Sequence, residues 1–232
     1  MQPLLLLHGA IGAPDQLSLL AAHLGKMYKV YTPGFSGHGS CPATESPFSI
    51  EIFATDVLLF MEQNQFNKVS IFGYSMGGYV ALYLAKNYPE KIDKVITLAT
   101  KFQWGAETAE RETQKLNSQK IEQKLPDFAE TLKQRHLVND WKTVLQKTAE
   151  MMISLGSNNT LSTEDFRNIS APTLLLLGDR DKMVSLDETV AVYRSLPDAQ
   201  MGILPGMSHP IEQADMEILT FHIVHFLGIE LI

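Results

Sequence analysis

Apolar and polar residues alternate along the chain with two different periods, which predict two kinds of element. Short apolar runs predict strands at residues 4–7, 27–31, 69–72, 95–98, 173–177 and 200–204. Apolar residues recur at helical spacing over about residues 14–24, 49–63, 76–88, 186–195 and 214–227. Continuous apolar strands that alternate with amphipathic helices indicate a parallel sheet covered by helices on both faces. We therefore predict an α/β fold.

This alternation stops between Lys101 and Asn168. The segment predicts three or four helices and no strand, and it holds 20 of the 45 charged residues, ten of each sign. Its clearest helix covers residues 139–155, with one face formed by Trp141, Val144, Leu145, Thr148, Met152 and Leu155. We expect a single domain, in which residues 1–100 and 169–232 form the core and residues 101–168 form a helical lid.

Composition and charge narrow the classes of partner. Of the 232 residues, 45% are hydrophobic and 19% charged, as in ordinary globular proteins. The net charge of −7 and the lack of a basic cluster argue against a nucleic-acid partner. One cysteine and an N-terminus without a signal-peptide pattern lead us to expect a cytoplasmic protein without a membrane span. We expect it to be a monomer or a weak homodimer that acts on a small molecule.

The stretch IFGYSMGGY, residues 71–79, contains the first candidate for chemistry. Ser75 follows a predicted strand and precedes a predicted helix, with glycines two residues before it and two and three residues after it. Small neighbours allow the strained, close-packed turn that presents a nucleophile. A phosphate-binding loop would need Lys and then Ser or Thr after the last glycine, and Tyr79 and Val80 stand there instead.

A serine nucleophile needs a base and a group that orients the base. Both are expected after strands, because the carboxyl ends of parallel strands meet at one edge of the sheet. Asp179 and Asp181 follow the predicted strand 173–177, and His209 follows the strand 200–204. Among the other histidines, His8 and His38 are expected to shape loops, and His136 is expected on the surface of the lid.

Five motifs together resemble the α/β-hydrolase fold superfamily, in its lid-bearing serine esterase and lipase-like branch: HGAIG, PGFSGHGS, GYSMGG, APTLLLLGDRD and GMSHP. The resemblance implies that Ser75 is the nucleophile, His209 the base and Asp181 the acid. It implies an oxyanion hole formed by the backbone N–H groups of Ala10 and Met76, and it implies no cofactor and no metal. It also implies a six-stranded, mainly parallel sheet without the family's N-terminal hairpin, so that the strand at 27–31 lies at an edge.

A serine nucleophile indicates acyl transfer, so the predicted activity is hydrolysis of a carboxylic ester or thioester with a small to medium acyl group. Two other functions remain open: a triad-dependent lyase or carbon–carbon hydrolase, with Arg111 or Arg135 directed at a substrate carboxylate, and a ligand-sensing module. The predicted pocket residues are Phe102, Trp104, Trp141 and Met152.

Overall fold

The computed structural model of the chain describes residues 3–228, which contain one six-stranded parallel sheet. Its strand order is β2-β1-β3-β4-β5-β6, and every neighbouring pair is parallel. The α/β class, the six strands and the edge position of the second strand are confirmed. The strands are β1 Pro3–Leu7, β2 Lys29–Tyr31, β3 Val69–Tyr74, β4 Ile92–Leu98, β5 Thr173–Gly178 and β6 Ala199–Leu204.

Ten α-helices lie within the described residues, five of them in the core. The core helices are α1 Ser18–Leu24, α2 Ile50–Gln63, α3 Met76–Asn87, α9 Leu186–Ser195 and α10 Met216–Leu227. The other five, between β4 and β5, are α4 Ala106–Thr113, α5 Ser118–Lys124, α6 Pro126–Arg135, α7 Trp141–Ser157 and α8 Thr163–Arg167.

Both faces of the sheet are covered, because successive side chains of each strand point to opposite sides. In β1, Leu5 and Leu7 belong to the apolar cluster that contains α2 and α3, whereas Leu4 and Leu6 belong to the cluster that contains α1 and α10. Each of these four leucines is at most 1% exposed. Burying a leucine side chain contributes about 1.5–3 kcal/mol, so this strand anchors both layers.

The segment between β4 and β5 has its own small apolar core, formed by Ile121, Ala129, Leu132, Trp141 and Leu145. Other residues of α7, including Met151 and Leu155, join the main core of the sheet instead. One side of α7 therefore packs this segment on the rest of the chain. Within residues 3–228, no helix is long and apolar enough to cross a lipid bilayer.

The strand order reverses at β1, because β2 pairs with one side of it and β3 with the other. Loops that leave the carboxyl ends of strands at such a reversal diverge and form a crevice where α/β proteins bind ligands. The loop after β1 begins at His8 and the turn after β3 is Ser75. The topology thus places these two motifs at the same crevice.

Candidate active site

Ser75 forms the whole connection between β3 and α3 and has a strained backbone, with φ 51° and ψ −114°. Positive φ is uncommon for a residue other than glycine, and it persists only where the surroundings enforce it. The Ser75 N–H donates to the Leu98 carbonyl at 2.8 Å, and the Thr100 hydroxyl donates to the Ser75 carbonyl at 3.0 Å. A Cβ on Gly77 would overlap the carbonyl oxygen of Leu7, so the turn requires glycine there.

Three side chains from three loops meet at this turn. The Ser75 hydroxyl oxygen lies 3.3 Å from Nε2 of His209, and Nδ1 of His209 lies 2.8 Å from Oδ2 of Asp181. Because a carboxylate only accepts hydrogen bonds, Nδ1 carries the proton and Nε2 is free to accept from the Ser75 hydroxyl. The arrangement can therefore remove a proton from Ser75 and hold the resulting imidazolium beside a negative charge.

Asp181 is held in its ionised form. Its side chain is fully buried, which raises its pKa, but hydrogen bonds from His209 and from the backbone N–H groups of Val184 and Met183 outweigh burial. The net effect is a pKa below the usual range for aspartate. Oδ1 accepts the Met183 and Val184 N–H groups at 2.7 and 2.9 Å, so the second oxygen remains free for His209.

Asp179, the alternative acid, makes different contacts. Its Oδ1 accepts the Gly206 N–H at 2.6 Å, and its Oδ2 lies 3.6 Å from Nε of the exposed Arg180. It therefore links the loop after β5 to the loop after β6. Of the two aspartates, Asp181 is the one in contact with His209.

The backbone of His209 is also fixed. The Tyr74 hydroxyl, at the end of β3, donates to the His209 carbonyl at 3.1 Å. Burial raises the pKa of Tyr74, so its hydroxyl stays protonated and can donate at any physiological pH. The residue before Ser75 thus holds the loop that carries the imidazole.

The predicted oxyanion donors, Ala10 and Met76, line the smaller cavity together with Ser75. Met76 is the first residue of α3, where backbone N–H groups have no intrahelical partner. Ala10 lines the same cavities as Ser75 and precedes Ile11, whose φ of 51° is strained for a β-branched residue. Neither the Ala10 nor the Met76 N–H donates to any acceptor within residues 3–228. Both N–H groups are available to a ligand oxygen.

The loop that carries Ala10 is held by buried histidines. His8 donates from Nδ1 to the Gly9 carbonyl at 2.9 Å and accepts the Phe35 N–H at Nε2, 3.3 Å away. Burial lowers the pKa of His8 to about 4, so the ring is neutral. His38 is buried beside it, with ring centroids 5.3 Å apart. The loop-shaping role expected for both residues matches these contacts.

His136 is not on the surface, and that expectation is wrong. It is 1% exposed, its Nε2–H donates to the Ile11 carbonyl at 3.0 Å and its Nδ1 accepts the Gly39 N–H at 3.0 Å. Burial lowers its pKa, although the hydrogen bond to Ile11 opposes this. His136 follows α6 and therefore connects the segment after β4 to the loop beside Ser75.

Two cavities meet at Ser75. The smaller, about 30 Å³, is lined by Met76, Trp104, Met151, Met152 and Leu155 among others. The larger, about 220 Å³, is lined by His209 and also reaches Met152. Of the four predicted pocket residues, Trp104 and Met152 line these cavities.

Phe102 and Trp141 lie outside both cavities. Phe102 is 2% exposed and packs edge-on against Phe166, with ring centroids 5.9 Å apart. Trp141 belongs to the small core of the segment after β4. Both residues have the structural role that a buried aromatic side chain most often has.

Lys101 also lines the smaller cavity, and sequence reasoning missed it. Its ammonium donates to Glu188 Oε2 at 2.9 Å and to the Met183 carbonyl at 3.1 Å, and both charged side chains are buried. Burial raises the pKa of Glu188, which the ion pair only partly offsets. The pair joins the loop after β4 to the start of α9. In the sequence, Lys101 is a single lysine at the end of an apolar run. Nothing in that pattern indicates an ion pair with Glu188, 87 residues later.

Three or more His, Cys, Asp or Glu side chains do not come together as a candidate metal site anywhere in residues 3–228. The arrangement at Ser75 consists of a hydroxyl, an imidazole, a carboxylate and two free N–H groups. It can carry out nucleophilic chemistry with these groups alone.

The chain belongs to the alpha/beta hydrolase fold family, whose profile matches residues 2–154. Among curated proteins, it is 24% identical over 180 residues to 3-oxoadipate enol-lactonase 2 of Acinetobacter baylyi, covering 71% of this chain and 66% of that protein. Several other curated relatives match over only 36%, 33% or 37% of their own length. Family membership supports a hydrolase, and at this identity it does not name a substrate.

Solved structures show the same fold. A thermophilic esterase from Thermogutta terrifontis superimposes with a TM-score of 0.78 at 21% identity, over 98% of this chain and 89% of that chain. The meta-cleavage product hydrolase CumD from Pseudomonas fluorescens superimposes with a TM-score of 0.74 at 20% identity, over 98% and 90%. The same fold therefore occurs in enzymes with different activities, here an esterase and a meta-cleavage product hydrolase.

Proposed function

We propose that the protein is a serine hydrolase that cleaves a carboxylic ester or thioester of a small to medium acyl group through an acyl-enzyme. The observation that carries this proposal is the continuous contact from Ser75 through His209 to Asp181, at 3.3 and 2.8 Å. Each of these groups is orientated by further hydrogen bonds, so that little rearrangement is needed before reaction.

In the first half of the reaction, His209 Nε2 takes the proton of Ser75 while Oγ attacks the substrate carbonyl. The N–H groups of Ala10 and Met76 would stabilise the oxyanion, a contribution of about 3 kcal/mol for a single donor. Collapse of the tetrahedral intermediate breaks the bond to the alcohol or thiol, which takes its proton from His209. In the second half, His209 activates water, and the acid is released.

We also propose that residues 101–168 act as a lid over this site. Its helix α7 supplies Met151, Met152 and Leu155 to the wall of the smaller cavity. Helix α6 and the following His136 contact the loop that carries Ala10, through the hydrogen bond to Ile11. Movement of this segment would therefore change access to Ser75 and the position of an oxyanion donor together.

Carbon–carbon bond hydrolysis of a carboxylate-bearing metabolite is a second candidate, favoured by one observation. Arg135 lines the larger cavity and its side chain is only 10% exposed. Its Nε already donates to Asp15 at 3.0 Å, and Arg111 lies outside this cavity, paired with Glu112. The cations are committed to protein carboxylates, so we favour ester or thioester hydrolysis.

The test is hydrolysis of 4-nitrophenyl esters of increasing acyl length by the wild type, Ser75→Ala and Ser70→Ala. Ser70 is a matched control, since it is a buried serine on β3, the strand that leads into Ser75. We expect Ser75→Ala to lose about 10³-fold or more in kcat and Ser70→Ala to stay within a few-fold of the wild type. Equal rates for wild type and Ser75→Ala on every ester would refute the proposal. A wild type that hydrolyses none of the esters would instead favour the ligand-sensing function.

A further inference from the structure

The two cavities at Ser75 differ in size by about sevenfold, 30 against 220 Å³, and His209 lines only the larger one. Both share Ala10 and Ser75, so the bond to be broken lies at their junction. Because the cavities differ in this way, the acyl group and the alcohol of an ester substrate can each be assigned to one of them.

The proton path decides which half enters which cavity. In acyl transfer the imidazole gives its proton to the leaving group, which must therefore lie on the His209 side of the carbonyl. The leaving group then occupies the 220 Å³ cavity, and the acyl chain points into the 30 Å³ cavity. Resting on the function proposed above, we infer that the substrate is an ester of a two- or three-carbon acid with a much larger alcohol.

The smaller cavity sets the length of the acyl chain. A volume of about 10–15 Å³ holds one water-sized group, so 30 Å³ holds about two. Its walls include Ile50 and Tyr79, which are 1% and 2% exposed. The Tyr79 hydroxyl accepts the Leu161 N–H at 2.9 Å and donates to Asn159, so this wall is fixed.

Two polar side chains of the smaller cavity, Tyr79 and Lys101, are already paired. The Tyr79 hydroxyl has the two partners just described, and the Lys101 ammonium contacts Glu188 and the Met183 carbonyl. Most of the other side chains that line it are apolar, including Met151, Met152 and Leu155. The cavity therefore suits a short alkyl group without its own charge.

The larger cavity combines charged and apolar side chains, which suits a large alcohol. Four charged side chains line it: Glu112, Lys115, Arg135 and Glu212. Glu112 is 2% exposed and is held by Lys115 at 2.6 Å and Arg111 at 3.0 Å. The rest of its lining is mostly apolar, including Leu116, Phe128 and Met152, so it can accommodate the apolar body of a large alcohol.

The first test compares two isomeric esters that differ only in which side is large. 2-Naphthylmethyl acetate has a small acyl group and a large alcohol, and methyl 2-naphthylacetate has the reverse. Both release simple alkoxides, so intrinsic reactivity is similar. We expect kcat/KM to favour the acetate by about 100-fold, because a group too large for a pocket by a few carbons is rejected on that scale. Equal values, or a preference for the methyl ester, would overturn the inference.

The second test enlarges the smaller cavity with a matched control. Leu155→Ala removes a side chain that lines it, whereas Leu145→Ala removes a buried leucine of the same helix that packs in the separate small core. With 4-nitrophenyl esters, we expect Leu155→Ala to raise the hexanoate-to-acetate ratio of kcat/KM by about 10-fold and Leu145→Ala to leave it unchanged. Met151→Ala serves the same purpose should Leu155→Ala fail to fold.

The outcomes separate this inference from the proposed function. An enzyme that needs Ser75 but hydrolyses octanoate faster than acetate keeps the function and refutes the assignment of the cavities. A hexanoate-to-acetate ratio of kcat/KM that changes equally in Leu155→Ala and Leu145→Ala would also refute the assignment of the cavities while keeping the function. Absence of turnover on every ester, together with no labelling by a fluorophosphonate, would refute the function itself.

Discussion

At the scale of single residues, the site depends on which aspartate contacts His209. Asp181 reaches Nδ1 at 2.8 Å and sets the ring so that Nε2 faces Ser75, whereas Asp179 binds the Gly206 N–H. An amide at the contacting position would offer an N–H donor to Nδ1 and favour the wrong tautomer.

We therefore expect Asp181→Asn to lower kcat by about 10⁴-fold and Asp179→Asn to lower it by less than about 10-fold. The measurement is kcat for 4-nitrophenyl acetate at pH 7.5, with circular dichroism to confirm that both variants fold. A larger loss in Asp179→Asn than in Asp181→Asn would contradict the role proposed for Asp181.

The three buried histidines make stability depend on pH. Burial holds the pKa of His8 at about 4 and the pKa of His38 well below its usual value, and it lowers the pKa of His136. The unfolded chain, in which these rings titrate near 6.5, therefore binds more protons below that pH. Their contribution to stability is complete above about pH 6.5 and is lost as the pH falls towards 4.

His38→Phe tests this dependence, because Nε2 of His38 has no hydrogen-bond partner within residues 3–228 and its ring stacks on Phe48. Near pH 5.5, we expect the variant to reduce the slope of unfolding free energy against pH by about 1 kcal/mol per pH unit. The same substitution at the exposed His225 is the matched control. Urea unfolding at pH 7, 6 and 5 measures the slope for both variants and for the wild type. Identical slopes in His38→Phe and the wild type would contradict the prediction.

At the scale of elements, the Lys101 and Glu188 pair joins the loop after β4 to α9. Lys101 also contacts the Met183 carbonyl, and the Met183 N–H donates to Asp181. Removing one member of a buried ion pair leaves the other charge without compensation, at a cost of about 3–5 kcal/mol. Replacing both charged side chains by neutral ones avoids that cost.

We expect Lys101→Met to lower the free energy of unfolding by about 3 kcal/mol or more and the double variant Lys101→Met with Glu188→Gln to lower it by less. Glutamine keeps an oxygen for the Phe102 N–H, which Glu188 accepts at 3.3 Å. Urea unfolding of wild type, both single variants and the double variant closes the cycle. Losses that simply add would show that the two side chains are not coupled.

The order and type of elements in the core were predictable, and their ends were less so. The predicted strand 27–31 is observed only as Lys29–Tyr31, because Met27 and Tyr28 donate to the Leu24 carbonyl and continue the end of α1. Helix α7 begins at Trp141 and not at 139, because the Asp140 side chain accepts the N–H groups of the first turn. Local competition for backbone hydrogen bonds sets such boundaries.

At the scale of the whole molecule, the candidate catalytic residues that lie in sequence motifs were predictable. The side chains that pack around them were not. Ser75, Asp181 and His209 each follow a strand, and parallel topology brings strand ends together. The burial of His136 and the positions of Phe102 and Trp141 outside the cavities depend on how the segment after β4 packs. That packing follows from contacts between distant parts of the chain, which a local apolar pattern does not encode.

The sizes of the two cavities belong to the same scale. They result from residues that are far apart in the chain, such as Ser75 and Met151. A change of one side chain in α7 alters the acyl cavity without touching Ser75, His209 or Asp181. Acyl preference and catalytic power are therefore expected to vary independently in this fold.

The most direct measurement of the central claim, that His209 activates Ser75, is the rate and position of labelling by a fluorophosphonate, read by mass spectrometry. Ser70 and Ser75 lie on the same tryptic peptide, residues 69–86, so fragmentation is needed to separate them. We predict one adduct on Ser75, unchanged in Ser70→Ala, absent in Ser75→Ala and formed at least about 100-fold more slowly in His209→Asn. An adduct on another residue, or an unchanged rate in His209→Asn, would contradict it.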